Sequence, residues 1–502
     1  MNILLVRPPY KRLMGVRQPP YFSLGIGYLG SYLEKAGYRV HLYNAENQSM
    51  SRLDLLPDER DIFRVRGESQ ANYFSSLEEA RHPVWEEYER ILRDVSPDVV
   101  GISVLSNEVG SAVKMSRLTK AWKKNCAVVW GGVHPTFLPE ESLRYGCVDY
   151  VVRGEGEQTM LELCRFLETG TPEAAAISGI SYPDGSGRMH HTPDRPLLRD
   201  LDSLPIPRRQ LSVLSSHLNA MDTENLIASR GCPYRCTFCS SRLFWNKTVR
   251  MRSPQNIVDE IVFLKADSGL RHFIFLDDSF TLLRENIENM CRALIRGKTR
   301  IFWSTMTRAD LLDDALIGLM KRSGCIELNL GIETGSERVS RMISKDLKKD
   351  HVLHTVRSIK KAGISCGTFF ILGFPEETLE DLHESFLFMK ALEPTRIGLN
   401  IFEPQPGSDL YRRAIDLGLI DPRKDWARQA FWPREHFMKH VPAEQFSRAV
   451  REIASWVFDY NARTGTKLKK YRTHLGRRFW SDPRYFFYRG LRYARKRLQR
   501  RR

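Results

Sequence analysis

The sequence predicts an α/β protein with a doubly wound parallel sheet, then six consecutive βα units that form a partial barrel, then a helical and basic tail. Three observations predict this order. Short apolar runs alternate with amphipathic helical segments over the first 160 residues, the same rhythm restarts after residue 222, and basic residues crowd beyond residue 467. The predicted regions are 1–170, a linker at 171–222, 223–430 and 431–502.

The first region has the pattern of a Rossmann-like domain. Five strands are predicted at 2–6, 38–45, 99–106, 127–132 and 150–157, and helices at 25–36, 84–95 and 109–124. Such sheets bind ligands beyond the carboxyl ends of their strands. We therefore predict a binding edge made of the small and polar residues that follow three of these strands: Ser103, Ser106, Gly131, Gly132, His134, Gly154, Glu155 and Gly156.

The second region predicts a (βα)6 partial TIM barrel. Its strands are expected at 225–229, 272–277, 302–307, 326–333, 367–373 and 396–402, with helices beginning near 253, 283, 313, 349 and 379. Barrels of this kind place their chemistry at the carboxyl ends of the strands. The segment 171–222, rich in Pro, Gly and Ser and without sustained periodicity, is predicted to be a connector.

The composition excludes several classes of protein. With 42% hydrophobic and 27% charged among 502 residues, the chain can bury the cores of two or three domains. It has no run of 18 apolar residues and no leader-like start, so we expect a cytoplasmic protein. Nine cysteines, an odd number, do not suit a disulfide framework. Six stand singly and are predicted to pack in the cores: Cys126, Cys147, Cys164, Cys291, Cys325 and Cys366.

The other three cysteines form the strongest motif in the sequence. Cys232, Cys236 and Cys239 lie at spacings of four and three, directly after the first predicted strand of the barrel. Three thiolates within eight residues can hold one face of a metal cluster, whereas a structural zinc site needs a fourth Cys or His, and none stands nearby. The motif favours a [4Fe–4S] cluster with one iron open for reaction, and a zinc site with a distant fourth ligand is the alternative.

At this motif the chain resembles the radical S-adenosylmethionine superfamily, whose pattern is C-x3-C-x-aromatic-C, with Phe238 at the aromatic position. The resemblance implies that the open iron binds the amino and carboxylate groups of S-adenosylmethionine. An electron from the cluster then cleaves this molecule to methionine and a 5′-deoxyadenosyl radical.

The resemblance also implies which residues contact S-adenosylmethionine. Asp277 and Asp278 would meet the methionine amine, and Ser304 and Arg308 its carboxylate. Glu333 would accept from the ribose or the amine. The remaining contacts are expected from Phe238 and from Gly373, where the backbone can approach the adenine closely.

The first region resembles the cobalamin-binding members of the same superfamily. The likeness lies in LLVRPPY, GIGYLGSYLEKAGYRV, GGVHPTF and YVVRGEGEQT, and covers residues 1–430. The resemblance implies cobalamin on the edge predicted above. The D-x-H-x-x-G motif that supplies a lower axial histidine in many cobalamin domains is missing, and we interpret His134 as a loop hydrogen-bonding residue. A domain without cofactor is the alternative. A second cluster on Cys126, Cys147 and Cys164, as in methylthiotransferases, is not favoured because they lie far apart.

The expected function is that of a cobalamin-dependent radical S-adenosylmethionine methyltransferase acting on an unactivated carbon of a small or lipid-like substrate. Flavodoxin or ferredoxin is the expected electron donor. An oxidative cyclase acting on a tetrapyrrole has the same architecture and is the first alternative. A cobalamin-responsive binding or sensor protein is the second, and the cysteine motif argues against it.

The tail carries most of the net charge. Residues 467–502 hold 15 Lys and Arg and one Asp, a net of +14 that leaves +3 of the chain's +17 for everything before it. Within 479–502, Phe487, Leu491, Ala494 and Leu498 share a helical stripe. Two interpretations stay open: a solvated tail, and peripheral contact with the inner face of a membrane through this basic helix. Nucleic acid is not expected as a partner.

Overall fold

The computed structural model describes residues 1–16, 20–47, 62–214, 218, 220–428 and 436–465. These residues form two compact units. The first contains residues 1–47, 67–214, 218 and 421–428, and the second contains 62–66, 220–420 and 436–465. The basic tail predicted at 467–502, including the amphipathic stripe within 479–502, lies outside the described residues.

The first unit is built on a seven-stranded sheet. Its strands are β1 (Asn2–Arg7), β2 (Arg39–Asn44), β3 (Val99–Ser103), β4 (Ala127–Gly131), β5 (Tyr150–Val152), β6 (Ile180–Pro183) and β7 (Met189–His191). The helices are α1 (Leu24–Lys35), α2 (Ile62–Glu78, of which residues 62–66 belong to the second unit), α3 (Pro83–Val95), α4 (Val109–Trp122), α5 (Val133–Phe137), α6 (Pro139–Arg144) and α7 (Gly156–Thr169). The strand order is β2-β1-β3-β4-β5-β6-β7. Strands β1 to β5 are parallel, β6 pairs antiparallel with β5, and β7 pairs antiparallel with β6.

The order of the five parallel strands is the flavodoxin-like order, in which the chain leaves β1 towards one side and later returns to its other side. The strands form because they are continuous apolar runs that helices cover on both faces: the four central residues of β1 are all buried. The predicted doubly wound domain is confirmed.

The predicted connector contains structure that the sequence pattern did not indicate. Strands β6 and β7 pair antiparallel around the turn at Asp184–Arg188 and extend the sheet beyond β5. Strands of three and four residues are too short to show a period of two, and the polar turn between them resembles linker composition.

The second unit contains a six-stranded parallel sheet. Its strands are β8 (Asn225–Leu226), β11 (His272–Phe275), β12 (Phe302–Thr307), β13 (Cys325–Glu333), β14 (Ser365–Leu372) and β15 (Arg396–Ile401), in the order β15-β14-β13-β12-β11-β8. Two short strands, β9 (Ser229–Arg230) and β10 (Arg250–Met251), form a separate antiparallel ribbon. The first predicted barrel strand, 225–229, is therefore divided, because Ser229 pairs with β10.

Helices follow the barrel strands in the predicted rhythm. They are α8 (Ser241–Phe244), α9 (Pro254–Ser268), α10 (Arg284–Arg296), α11 (Asp314–Arg322), α12 (Glu337–Met342), α13 (Lys349–Lys361), α14 (Leu379–Leu392), α15 (Asp409–Asp416) and α16 (Ala443–Gly465). Side-chain caps fix several starts: Ser253 accepts the Asn256 amide, Asp313 accepts the Leu316 amide, and Thr378 forms a capping box with Asp381.

The core lies between the strands and these helices, and Phe273, Trp303, Leu328 and Phe370 are fully buried in it. The six isolated cysteines are all buried and free, as predicted. Within the described ranges, no helix combines the length and the apolar character needed to cross a bilayer.

Candidate active site

The three clustered cysteines lie in a loop that leaves the fold after β9 and returns at β10. Ser229 pairs with Met251 and Arg230 with Arg250, so this ribbon closes the loop at its base. Gly231, immediately before Cys232, has φ of +104°, and a Cβ atom there would lie 1.9 Å from the carbonyl oxygen of Thr248. Only glycine fits this turn, because any side chain would meet backbone.

Two carboxylates after β11 hold the base of the loop. Asp277 is buried, and it accepts the amide of Ala228 at 3.2 Å and the hydroxyl of Ser229. Burial raises the pKa of Asp277 to about 6. Asp278 accepts the Gly231 amide at 3.3 Å. The two residues predicted to meet the methionine amine therefore hold the segment that leads into the cysteines.

Arg308 connects the end of β12 with the cysteine loop. Its Nη1 lies 3.9 Å from Cys236 Sγ, and its Nη2 donates to the carbonyl of Lys345 at 2.8 Å. Asp310 accepts from Nε and Nη2 at 2.9 Å each, and the guanidinium lies 3.8 Å from the ring centre of Tyr234. A cation beside a cysteine sulfur favours the thiolate, which is the form that binds metal.

The turn that follows α12 supports the other side of the loop. The Thr237 amide donates to the Ile343 carbonyl at 3.1 Å, and Cys236 Sγ lies 3.9 Å from the Ser344 carbonyl oxygen. The Phe238 ring lies 5.9 Å from the ring of Phe374, within an apolar cluster. Phe238 thus anchors the loop, and its contact with S-adenosylmethionine stays a prediction.

The donor set suits a [4Fe–4S] cluster. The three thiols are half-buried and free, and burial raises the pKa of each of them, that of Cys239 to about 12. Iron binding would displace these protons. Within the described residues, no three His, Cys, Asp or Glu side chains lie close enough together to hold a single metal ion. A cluster does not require that arrangement, because each thiolate binds a different iron, whereas a structural zinc does.

Lys345 and Glu333 form a buried ion pair that the sequence analysis missed. Lys345 Nζ lies 3.0 Å from Glu333 Oε1, and both side chains are about nine-tenths buried. Gly331 makes room for the pair, since a Cβ atom there would lie 2.5 Å from Glu333 Oε1. Because the Lys345 carbonyl also accepts from Arg308, a continuous polar path runs from Glu333 to the cysteine loop.

The turn after β14 contains a buried carboxyl, that of Glu377, which the sequence analysis missed. Glu377 is fully buried, and its Oε2 accepts the amides of Gly373 at 2.6 Å and Phe374 at 3.1 Å. Its Oε1 has no hydrogen-bond partner among the described residues, and burial raises the pKa of Glu377 to about 8. Glu377 fixes the turn at Gly373. Ser304, also predicted as a contact, is buried in β12.

In the first unit, a buried ion pair spans the two central strands at their carboxyl ends. Arg7 at the end of β1 lies 2.5 Å from Glu108, just before α4, and Glu108 also accepts the Leu105 amide at 3.1 Å. Burial raises the pKa of Glu108 to about 7 although Arg7 opposes this. Doubly wound sheets bind ligands where the chain switches from one side of β1 to the other, and this pair lies at that point.

Glu46 fixes the loop after β1, where the axial-histidine motif is absent. Its carboxylate accepts three successive amides, those of Tyr10, Lys11 and Arg12, at 3.0, 3.0 and 2.9 Å. Three such bonds hold a loop rigidly in one conformation. Nothing in the spacing of the sequence indicated this role.

The structure brings the residues predicted after β3 and β4 together. His134 is fully buried, with Nδ1 3.0 Å from Ser106 Oγ and Nε2 2.8 Å from Glu141. Both ring nitrogens are thus occupied, which agrees with the interpretation of His134 as a loop hydrogen-bonding residue. Gly132 has φ of +99°, and a Cβ atom there would lie 3.2 Å from Ser103 Oγ and 3.0 Å from the Val104 carbonyl.

The residues predicted after β5 are arranged differently. Glu155 accepts the Leu198 amide at 2.8 Å, so its carboxylate holds the segment beyond β7. Gly154 donates its amide to Thr136 at 3.0 Å and has open space on its Cβ side, and Gly156 begins α7. Gly131, Gly154 and Gly156 are partly exposed and carry no side chain, so a flat group such as a corrin can approach their backbone closely at the edge where such sheets bind ligands.

Comparison with known proteins places this architecture in a family. The Radical SAM superfamily profile matches residues 226–389, which contain the cysteine loop and its supports, and the B12 binding domain profile matches residues 70–164. An uncharacterized methyltransferase from Pyrococcus horikoshii is 30% identical over 458 residues, 90% of this chain and 91% of that protein. The chain belongs to the radical SAM superfamily. Its cofactors are S-adenosylmethionine, a [4Fe–4S] cluster and cobalamin.

Other members of the radical SAM superfamily show the range of reactions on this fold. The anaerobic magnesium-protoporphyrin IX monomethyl ester cyclase of Rubrivivax gelatinosus is 30% identical over 329 residues, 64% of this chain and 59% of that protein. The radical S-adenosylmethionine methyltransferase TsrM from Kitasatospora setae, solved with cobalamin and a [4Fe–4S] cluster, superposes with a TM-score of 0.64. The two sequences are 20% identical, and the superposed part covers 83% of this chain and 78% of the TsrM chain. This similarity confirms the fold.

Proposed function

We propose that this radical SAM enzyme transfers a methyl group to a carbon atom of a small-molecule substrate. The observation that carries the proposal is the loop of three free cysteines, held in place by hydrogen bonds with later strand ends, in a chain that also has a B12-binding domain. When bound, the cluster and S-adenosylmethionine supply a carbon-centred radical, and cobalamin supplies a methyl group. The chain's own residues hold the loop, position the co-substrate and exclude water.

The methyl-transfer assignment is supported by the extent of similarity. The chain spans 91% of the methyltransferase relative but 59% of the cyclase. Cyclisation of a tetrapyrrole is the second candidate, since the cyclase is equally identical over the shared part.

The supports of the cysteine loop limit which residues can meet S-adenosylmethionine. We infer that Asp278, which is exposed, and Arg308, beside Cys236, reach it directly, together with Ser304 and Glu333. Asp277 has both oxygens occupied and would act by holding the loop. Gly373 would present backbone to the adenine, with its turn fixed by Glu377.

We likewise infer that cobalamin lies along the carboxyl edge of the first unit. Gly131, Gly132 and Gly154 would lie under the corrin or its nucleotide tail. Ser106, His134 and Glu155 would shape the loops, since their side chains are already hydrogen bonded.

Two apolar side chains on the barrel sheet indicate part of the substrate's chemistry. Leu276 is 53% exposed and Met306 is 44% exposed. Leu276 directly follows β11 and Met306 lies in the neighbouring β12; Ile274 pairs with Ser304, and each of the two apolar residues lies two positions further on. Large apolar side chains exposed at a binding edge favour a ligand with apolar surface. This supports a substrate with an apolar portion, lipid-like molecules included.

The test uses anaerobically reconstituted holoenzyme, reduced with dithionite and given S-adenosylmethionine with a trideuterated methyl group. We expect 5′-deoxyadenosine, and deuterium in the cobalamin extracted from the protein. Cys236→Ala should abolish the 5′-deoxyadenosine. Magnesium-protoporphyrin IX monomethyl ester supplied to the same enzyme should remain unchanged. Ring formation on that compound with no deuterium in cobalamin would contradict methyl transfer and establish the cyclase.

Two partners follow from the proposed chemistry and from the sequence. Flavodoxin or ferredoxin would reduce the cluster, and reduced flavodoxin should replace dithionite in the 5′-deoxyadenosine assay. The basic segment 479–502 would bind anionic lipid. Sedimentation with phosphatidylserine vesicles should decrease when that segment is deleted, and unchanged sedimentation would contradict membrane contact.

A further inference from the structure

A basic cavity lies on the edge of the barrel sheet opposite the cysteine loop. Its volume is about 1000 Å³, and it is lined by residues that immediately precede β11, β12 and β13 and by the ends of α10 and α11. Because these strands are parallel, their amino ends lie at one edge and the cysteine loop at the other. The cavity is therefore separate from the site described above.

Five cations line this cavity: Arg271, Lys298, Arg300, Lys321 and Arg322. In the part of the chain that the structure describes, none of the five has an ion-pair partner, and no acidic residue lines the cavity. Asp267 stands beside the lining residue Ser268 and accepts its hydroxyl. Lys321 donates to the Gly363 carbonyl at 2.6 Å, and this bond leaves its charge unneutralised.

The carboxyl ends of the neighbouring helices carry negative partial charges, but these are too small to neutralise the five cations. The carboxyl ends of α9, α10 and α11 lie here, and each helix end carries about half a negative charge. Three such ends and Asp267 offset about half of the five positive charges. The surplus attracts an anion that carries at least two charges.

The cavity also has an apolar wall. Ile295 is 38% exposed, Phe302 is half-buried, and Leu294 and Ile301 lie behind them in the core. A volume near 1000 Å³ is at the upper end for small-molecule sites. A bare phosphate would fill little of that volume and would make no apolar contact with the exposed Ile295.

We propose that this cavity binds a nucleoside polyphosphate, with the phosphates among Arg271, Lys298 and Arg300 and the nucleoside against Ile295 and Phe302. Flexible lysines and forked guanidinium groups suit a phosphate chain, and the apolar wall suits a flat base. The site is independent of the proposed methyl transfer.

The test measures the fluorescence anisotropy of a fluorescently labelled ATP with the full-length protein at physiological salt. The cavity variant is Arg271→Glu/Lys298→Glu/Arg300→Glu. The control variant, Lys124→Glu/Arg188→Glu/Arg357→Glu, removes the same charge from exposed positions elsewhere. We expect Kd to rise at least about tenfold in the cavity variant and less than twofold in the control. Equal weakening in the two variants would overturn the proposal and assign binding to general charge, the basic tail included.

Competition distinguishes the nucleotide from its parts and from the co-substrate. Unlabelled ATP should displace the probe at a concentration at least about tenfold lower than inorganic triphosphate does, and S-adenosylmethionine should not displace it. Equal displacement by triphosphate would overturn the nucleoside assignment, and displacement by S-adenosylmethionine would place the probe in the active site. In wild-type protein, ATP should slow amide hydrogen exchange at 295–302, so the proposal can be tested even if the cavity variant folds poorly. Unchanged exchange there would contradict it.

Discussion

The two ligand edges of this protein are built in opposite ways. In the barrel, the metal-binding groups lie within eight consecutive residues, and residues at later strand ends, such as Asp277 and Arg308, support the loop that carries them. In the first unit, the edge is assembled from four separate loops, and its polar side chains are mostly engaged with one another, as His134 is with Ser106 and Glu141. A cluster needs particular atoms from the protein, whereas a corrin needs a shaped surface. The difference predicts which substitutions each edge tolerates.

The largest effect is expected from Gly231→Ala. A Cβ atom 1.9 Å from the Thr248 carbonyl forces the base of the cysteine loop apart, so the protein should lose its cluster. Iron and sulfide analysis after anaerobic reconstitution measures this loss. The control is Gly185→Ala, where an added Cβ meets nothing within 4 Å. A Gly231→Ala protein with a full cluster would show that the loop adapts as freely as a surface loop.

The next effect concerns Glu377 and pH. Its pKa is about 8 in the folded protein against 4.5 for the ordinary group, so the folded state keeps a proton that the unfolded state has lost. The free energy of unfolding should therefore fall as pH rises from 4.5 to about 8, by as much as about 5 kcal/mol. Urea denaturation at several pH values checks the slope. In Glu377→Gln, whose amide oxygen can accept the same two amides, the fall in the free energy of unfolding over this pH range should be smaller by that amount, and an unchanged fall would refute the assignment.

A smaller effect is expected from Arg7→Gln. Glu108 is fully buried and Arg7 is the cation that stabilises its carboxylate, so removing that cation should lower the free energy of unfolding at pH 8 by about 3 kcal/mol. Urea denaturation at pH 8 measures it, and Glu140→Gln, which removes an exposed ion pair, serves as the control with less than about 1 kcal/mol. If both variants lose equally little free energy of unfolding, the ion pair of Arg7 with Glu108 does not stabilise the first unit.

The smallest effect is expected from Asp278→Asn. Its bond to the Gly231 amide is long, at 3.3 Å, and the amide side chain can still accept it. Residues behind metal ligands change metal affinity by 10- to 100-fold, so about tenfold weaker retention of iron against a chelator is expected here. Asp277→Asn should have a larger effect, because that carboxylate is buried with both oxygens occupied. The reverse order would mean that Asp278 is the main support of the loop.

The contrast between consecutive ligands in the barrel and separate loops in the first unit also explains which parts of each site the sequence could predict. The barrel strands and helices were predictable because each strand is an apolar run and each helix has a periodic apolar face. The cysteine site was predictable because its ligands are consecutive and chemically distinctive. The ion pair of Lys345 with Glu333 and the buried carboxyl of Glu377 were not, because a single charged residue in a turn carries no periodicity and its partner is fixed only by packing.

On the first edge, prediction identified the right loops but not what their side chains do. Glycines and polar residues after strands mark a ligand edge in any doubly wound sheet. Whether Glu155 faces a ligand or the Leu198 amide depends on a segment 43 residues away, beyond β7. The hairpin of β6 and β7 was missed for a related reason, since its pairing with β5 is a tertiary property of short strands.

The closure of the cysteine loop by the β9–β10 ribbon has a consequence for how the protein is made. All three ligands have been synthesised by residue 239, but their supports come later, at Asp277, Arg308 and Lys345. Thiols held only by a two-residue ribbon are mobile and exposed to oxidation. We expect the cell's cluster-delivery machinery to load this chain only after the first four strands of the barrel have formed, so that maturation follows folding and does not direct it.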